Sequence, residues 1–149
     1  LVLGGNGNFA YDYDPIFVVK KGNPKLKTGR HSSILEFTKP QSNFKKDKLV
    51  HPTQKPIELG RYLVRTYTNP GDIVLDNTFG SGSFLVAALM EGRNFIGIEK
   101  NEDVALFKKD NINYIDVAKH RLFFAWIELS KKAKKGIAVT NLISEFEEK

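Results

Sequence analysis

Apolar and polar positions change period twice in the middle of this chain, and each change marks an element. From Ile57 to Tyr67 apolar side chains recur at Leu59, Leu63 and Tyr67, the i, i+4, i+8 spacing of one helix face. Pro56 just ahead of the first turn and Glu58 near the positive end favour a helix start there. Asn69-Pro70-Gly71-Asp72 reads as a turn, and Ile73 to Leu75 as a short, buried parallel strand. Gly80-Ser81-Gly82-Ser83 then opens a second helix through Leu85, Ala88 and Leu89, stopped near Gly92, and Phe95 to Ile98 is the next strand. Strand, helix and strand within about thirty residues make a βαβ unit, so the chain reads as an α/β fold.

The flanks are less regular. Residues 1–9 begin apolar and break at a Gly/Asn cluster, as a strand end and turn would. Ile16 to Lys20, after Pro15 and closed by Gly22-Asn23-Pro24, is predicted to be a strand. Lys25 to Val50 shows neither period and reads as a long basic loop. Its Phe37 and Phe44, set among lysines, suit either stacking on bases or pinning the loop to a core. Asn101 to Phe124 is mostly helical in pattern, with a break near Asp110-Asn111. Lys131 to Gly136 reads as a basic, flexible join, and Ile137 to Phe146 as a short final helix. There is no internal repeat.

Length and composition narrow the classes. A chain of 149 residues with 41% hydrophobic content is one domain or a large part of one, and its core can be substantial. No apolar run reaches the roughly 20 residues that span a bilayer, so no membrane association is expected. The chain opens on Leu1 rather than Met, which suggests a piece of a longer product. The absence of cysteine excludes disulfides, thiolate metal sites and a thiol nucleophile. His31, His51 and His120 are scattered, and no metal site is expected. The net charge of +6 is concentrated in residues 1–56, which alone balance to +6. That suits a polyanion-facing surface, and equally an ordinary solvated lysine-rich one.

Candidate chemistry lies between His51 and Glu99. A glycine-rich turn from strand to helix, Asp76 to Ser83, lets backbone approach a ligand closely, and the helix start offers N–H groups to an anion. Small residues in a tight turn also need no ligand. Glu99, 23 residues after Asp76 at the end of the next strand, is placed to accept hydrogen bonds from both hydroxyls of a ribose. No lysine follows the glycines as in a P-loop, which disfavours ATP or GTP. His51-Pro52-Thr53-Gln54-Lys55-Pro56 is by physics a proline-stiffened helix entry whose Thr53 and Lys55 can reach an anion.

These three blocks, HPTQKP, DNTFGSGSF and FIGIE, in this order, resemble the cofactor half of DNA amino-methyltransferases. The resemblance covers roughly residues 10–125 and is best between 51 and 99. The order is that of the permuted group, whose catalytic tetrapeptide lies nearer the N-terminus. The resemblance implies a Rossmann-like methyltransferase domain, a mostly parallel sheet with flanking helices, present here in part. It implies S-adenosylmethionine as cofactor, with Asp76, Phe79, Gly80, Ser81 and Gly82 lining its pocket, Glu99 holding the ribose, and Thr53 with Lys55 facing the methionine carboxylate. His51, Thr78, Ser83 and Lys100 join them as cofactor-side positions. Departures are Asn77 for the usual proline, Ser83 for the usual threonine, and an apparent insertion near Glu102 to Asn111.

The catalytic signature, Asp-Pro-Pro-Tyr or a near variant, is missing. Asp14-Pro15-Ile16-Phe17 is superficially similar, but Ile16 replaces the second proline, and no catalytic residue is assigned. The resemblance divides the chain into 1–50, the end of a catalytic subdomain with a target-recognition-like loop; 51–125, the cofactor-binding βαβ part; and 126–149, a basic join and short helix. It implies a site-specific DNA methyltransferase, acting on adenine N6 rather than cytosine N4, with double-stranded DNA as partner and a cytoplasmic setting in a prokaryotic or phage-infected cell. Three alternatives stay open: a non-catalytic fragment needing a second chain or N-terminal part for the missing motif, a Rossmann domain for another adenine nucleotide, and an accessory RNA-binding role. A homodimer is left open too.

Overall fold

The computed structural model describes residues 13–24, 32–40, 51, 53–100 and 113–134. The expectations for residues 1–9, 137–146, Phe44 and the insertion and helix break between residues 101 and 112 lie outside these.

Helix α1 spans Ile57–Tyr67, the span its periodicity predicts, with Pro56 as its extended N-cap residue. Strand β1 is Ile73–Asp76, helix α2 Ser83–Met90 and strand β2 Asn94–Gly97. The strands pair in parallel, Ile73 opposite Asn94 through Asp76 opposite Gly97. The unit is a Rossmann-like βαβ arrangement. Helix α3 runs over Tyr114–Lys134.

Helix α2 is apolar all round because it is surrounded. Leu85, Val86, Ala87, Ala88 and Leu89 are buried, between α1 on one side, α3 on the other and the sheet beneath. Close approach to α1 requires Gly60, where a Cβ would come within 2.9 Å of the Ala87 Cβ. On the other side Ala118 and Leu122 of α3 are buried, with Ala125, Trp126 and Leu129 packed against the same cluster. Those later contacts carry α3 past Phe124 and through Lys134, so residues 131–134 are helix and not the flexible join expected from their charge. Lysines in a final turn also suit the negative end of the helix dipole.

Two other expectations are corrected. Ile73 and Leu75 are exposed, as are Ile96 and Ile98 across the strand pair, so β1 is not buried. All three helices lie on one side, and the described residues leave the second apolar face of the sheet open; a parallel sheet shows this pattern when both its faces are meant to be covered. Ile16 to Lys20 is not a strand, and Phe17 and Val19 are exposed. A strand exists only with a partner, and none of the described elements pairs with this segment.

The end of α2 is a Schellman closure: the Gly92 N–H donates to Leu89 O, the Arg93 N–H to Ala88 O, and Gly92 adopts φ 71°. Arg93, though 6% exposed, satisfies its guanidinium on helix ends. It donates to the Glu91 carbonyl after α2 and to the Thr68 carbonyl and hydroxyl after α1. Arg93→Met is expected to lower unfolding free energy by about 1–2 kcal/mol, read as a lower denaturation midpoint at unchanged slope. A change below about 0.3 kcal/mol would remove that role.

Candidate cofactor cleft

The loop ending β1 turns back on the neighbouring strand. The Ile98 N–H donates to Asp76 O at 2.9 Å and the Phe79 N–H to Ile98 O at 3.2 Å. Glu99, just past β2, therefore sits beside the glycine turn, and its Oε2 accepts the Gly80 N–H at 2.6 Å. Gly80 and Gly82 both have positive φ, 51° and 76°, a region costly for other residues. The Gly82 N–H donates to Phe79 O at 2.7 Å. Two of the glycine-turn N–H groups that the sequence offers to a ligand are thus already used inside the turn.

The other wall is the block before α1. The Thr53 N–H donates to His51 Nδ1 at 3.2 Å, with Thr53 Oγ1 equally near. A backbone N–H only donates, so Nδ1 is the unprotonated nitrogen of the neutral ring. The ring lies 4.4 Å, centroid to centroid, from Tyr114 at the start of α3, and a Cβ on Gly80 would meet His51 Nε2 at 3.2 Å. His51 thus wedges between α3 and the glycine turn. Lys55 donates to Asp14 Oδ2 at 3.0 Å, an exposed pair worth about 0–1 kcal/mol that any incoming carboxylate has to displace.

Between these walls is an open cleft of about 320 Å³, lined by His51, Thr53, Gln54, Lys55, Asp76, Thr78, Phe79, Gly80, Ser81, Ser83 and Phe84. Nine of the twelve cofactor-side positions are in that lining. Of the rest, Glu99 reaches the cleft through Gly80, Gly82 is buried under α3, where a Cβ would meet the Ala118 Cβ at 2.8 Å, and Lys100 is exposed. Gln54 and Phe84 line the cleft without having been singled out. Gln54 is 3% exposed, and its place inside the HPTQKP block was the signal available. Tyr114, Ala118 and Arg121 back the site from α3. Their i, i+4, i+7 spacing marks one helix face, but nothing in the sequence says that this face meets residues 40 positions earlier. Phe37 settles on Tyr62 of α1, ring centroids 5.9 Å apart, which is the pinning role.

Burial and the Glu99 carboxylate set the protonation of the site. Burial pushes the His51 pKa below 6.5, with Glu99 pulling the other way. Burial pushes the Asp76 carboxyl above its ordinary 3.8, the Thr78 N–H opposes, and Glu99 adds to the rise. Burial and then Glu99 raise Tyr114. The unfolded chain therefore binds a proton at His51 more readily than the folded one. The stability His51 contributes is present above 6.5 and is lost as pH falls through 6.5 toward the folded value. Asp76 acts oppositely: its buried charge weighs on the fold above its raised pKa, and acidification through that value relieves it. Between about pH 7.5 and about pH 5.5 the His51 effect dominates, and His51→Gln should flatten the fall in urea midpoint. An equally steep fall in the variant would exclude His51 as its source.

Among the described residues, no group of three or more His, Cys, Asp or Glu could hold a metal ion, and no helix is long and apolar enough to cross a membrane. The family model described as DNA methylase matches residues 4–109. The chain belongs to the DNA methylase family. This DNA methylase chain is 41% identical over 85 residues to the DNA adenine methyltransferase YhdJ of Escherichia coli K12, covering 57% of the chain and 27% of that relative. It is 30% identical over 126 residues to the type II methyltransferase M1.MboII of Moraxella bovis, covering 69% of the chain and 48% of the relative. Among solved structures, the M1.HpyAVI–SAM complex aligns over 62% of the chain and 42% of its own at 34% identity, with a TM-score of 0.44. The chain thus spans about a quarter to a half of the length of these curated relatives.

Proposed function

We propose that this chain is the cofactor-binding part of a DNA methyltransferase that uses S-adenosylmethionine and acts on double-stranded DNA, at adenine N6 rather than cytosine N4, in the cytoplasm of a prokaryotic or phage-infected cell. The observation that carries the reading is the convergence of the HPTQKP block and the glycine turn as two walls of one cleft, with Glu99 tied to Gly80 at its edge. The volume, about 320 Å³, is that of a small-molecule pocket. Its lining offers an ammonium and a hydroxyl on Lys55 and Thr53, an aromatic ring on Phe79 and exposed glycine backbone, a donor set that fits an amino acid joined to a nucleoside.

In this reading Lys55 and Thr53 hold the amino-acid end, Glu99 the ribose, and Asp76, Thr78, Phe79, Gly80, Ser81 and Ser83 shape the pocket between them, with His51, Gly82 and Lys100 supporting its edges. The bound cofactor supplies an electrophilic methyl group on sulfonium. The chain's residues bind and orient it and narrow its access to water; they perform no proton transfer. The groups that hold a flipped base come from outside the cleft. Residues 1–50, 51–125 and 126–149 correspond in this reading to catalytic-subdomain end, cofactor part and C-terminal join.

Calorimetric titration of S-adenosylhomocysteine, with NAD as competitor, tests the reading. Micromolar binding that NAD leaves unchanged supports it. No binding by the full-length protein, or displacement by NAD, rejects it in favour of another nucleotide. The base methylated is read by mass spectrometry of nucleosides from treated DNA.

A second reading is favoured by the open sheet face, where Ile73, Leu75, Ile96 and Ile98 are exposed beside Phe17 and Val19 elsewhere. There the chain acts only with a second polypeptide, or an N-terminal part, that covers the face and supplies the missing catalytic motif. Methylation recovered on mixing with a separately expressed polypeptide of that kind would favour it.

A further inference from the structure

Arg121, on α3, does not line the cleft, yet its guanidinium reaches into the glycine turn. Nη1 donates to Ser81 O at 2.7 Å, to Ser81 Oγ at 2.8 Å and to Ser83 Oγ at 3.2 Å. Ser81 and Ser83 are 4% and 5% exposed, so these oxygens have little water to turn to. The peptide between Ser81 and Gly82 is planar, and its C=O and N–H point opposite ways. Arg121 holds the carbonyl, while Phe79 O accepts the Gly82 N–H at 2.7 Å. The plane is pinned at both ends.

The face that bears Arg121 also carries Ala118, against which Gly82 is seated, and Tyr114, on which the His51 ring rests. One stripe of α3 therefore touches both walls of the cleft. Removing the guanidinium leaves a buried carbonyl without its partner, and rotation of the peptide plane becomes the way to satisfy it. Gly82, free of a Cβ, offers little resistance to such a rotation. The floor of the cleft at Gly80 and Ser81 would change with it.

We propose that Arg121 is a positioning residue: it sets the orientation of the Ser81–Gly82 peptide, and through it the affinity of the cleft for its nucleoside ligand. This rests on the proposed cofactor reading for the ligand, but not for the turn.

Two measurements in the full-length protein separate these. The first uses no ligand: amide hydrogen exchange and chemical shifts at Gly82 and Ser83 in wild type, Arg121→Met, Arg121→Lys and Leu122→Ala. Leu122→Ala loosens the same α2–α3 packing without touching the turn. Arg121→Met should expose and shift these amides, Leu122→Ala should not, and Arg121→Lys should restore part of the wild-type pattern. The second is titration of S-adenosylhomocysteine at a temperature where every variant is folded. Arg121→Met should bind about tenfold more weakly, and Leu122→Ala within about twofold of wild type. Equal binding by Arg121→Met and wild type, or an equal loss in Arg121→Met and Leu122→Ala, overturns the positioning role. Absence of binding by wild type rejects the cofactor reading, and the exchange data still decide whether Arg121 holds the turn.

Discussion

Gly82→Ala is expected to lower the unfolding free energy by about 3–4 kcal/mol, the sum of two separable costs. Gly82 adopts φ 76° and ψ 23° as the N-cap residue of α2, a left-handed conformation that costs other residues roughly 1–2 kcal/mol. The added methyl would also lie 2.8 Å from the Ala118 Cβ and 3.3 Å from its Cα. The Cα is backbone, so the helix itself has to shift, at about 1–3 kcal/mol for overpacking of this kind. Urea denaturation of wild type and variant measures the sum. Adding Ala118→Gly removes the steric part alone, so the double variant should recover about half of the loss beyond the intrinsic cost of a helix glycine. A single variant within about 0.5 kcal/mol of wild type would show that α3 does not press on the turn as described.

Glu99→Ala should weaken S-adenosylhomocysteine by about 1–3 kcal/mol, roughly five- to a hundredfold in dissociation constant. Two losses contribute in the proposed reading: an acceptor for the ribose, and the bond from the Gly80 N–H that holds the wall of the cleft in place. Glu99→Gln keeps an acceptor oxygen but not the charge, so it should fall between the two. The same variants should lower the pKa values of His51, Asp76 and Tyr114, because the Glu99 carboxylate raises all three. Chemical shift titration of His51 provides that readout without ligand. Affinity unchanged in Glu99→Ala would remove Glu99 from the binding site; a His51 titration unchanged in the same variant would contradict the electrostatic coupling.

The open face of the sheet bears on how these measurements should be made. Exposed Ile73, Leu75, Ile96 and Ile98 make the isolated chain a candidate for self-association. Ligand affinity measured on it at one concentration can therefore report association as much as binding, and titrations across a concentration series remove the ambiguity.

Local pattern by itself determined the helix from Ile57 to Tyr67, the β–turn–helix–β run from Ile73 to Gly97 and the chemical identity of the cleft. Each depends on residues within a few positions: a 3.6-residue apolar period, a proline ahead of the first turn, glycines where φ is positive. The family resemblance needed only block order, and the match to the DNA methylase model over residues 4–109 agrees with it. What pattern could not decide depends on distant partners. Ile16 to Lys20 has the composition of a strand but no neighbour to pair with among the described residues, and composition does not supply one. Ile73 to Leu75 has the pattern of a strand covered twice, while cover is a property of what packs beside it. The lysines of residues 131–134 read as a join because their charge is local, whereas Trp126 and Leu129, packed on α2, extend the helix. The same holds at the site. Glycine spacing foretold a close backbone approach, but only the fold brought Glu99 to the Gly80 amide and Tyr114, Ala118 and Arg121 to the turn. Hydrogen bonds and ring contacts are short-ranged in space and carry no mark of separation along the chain.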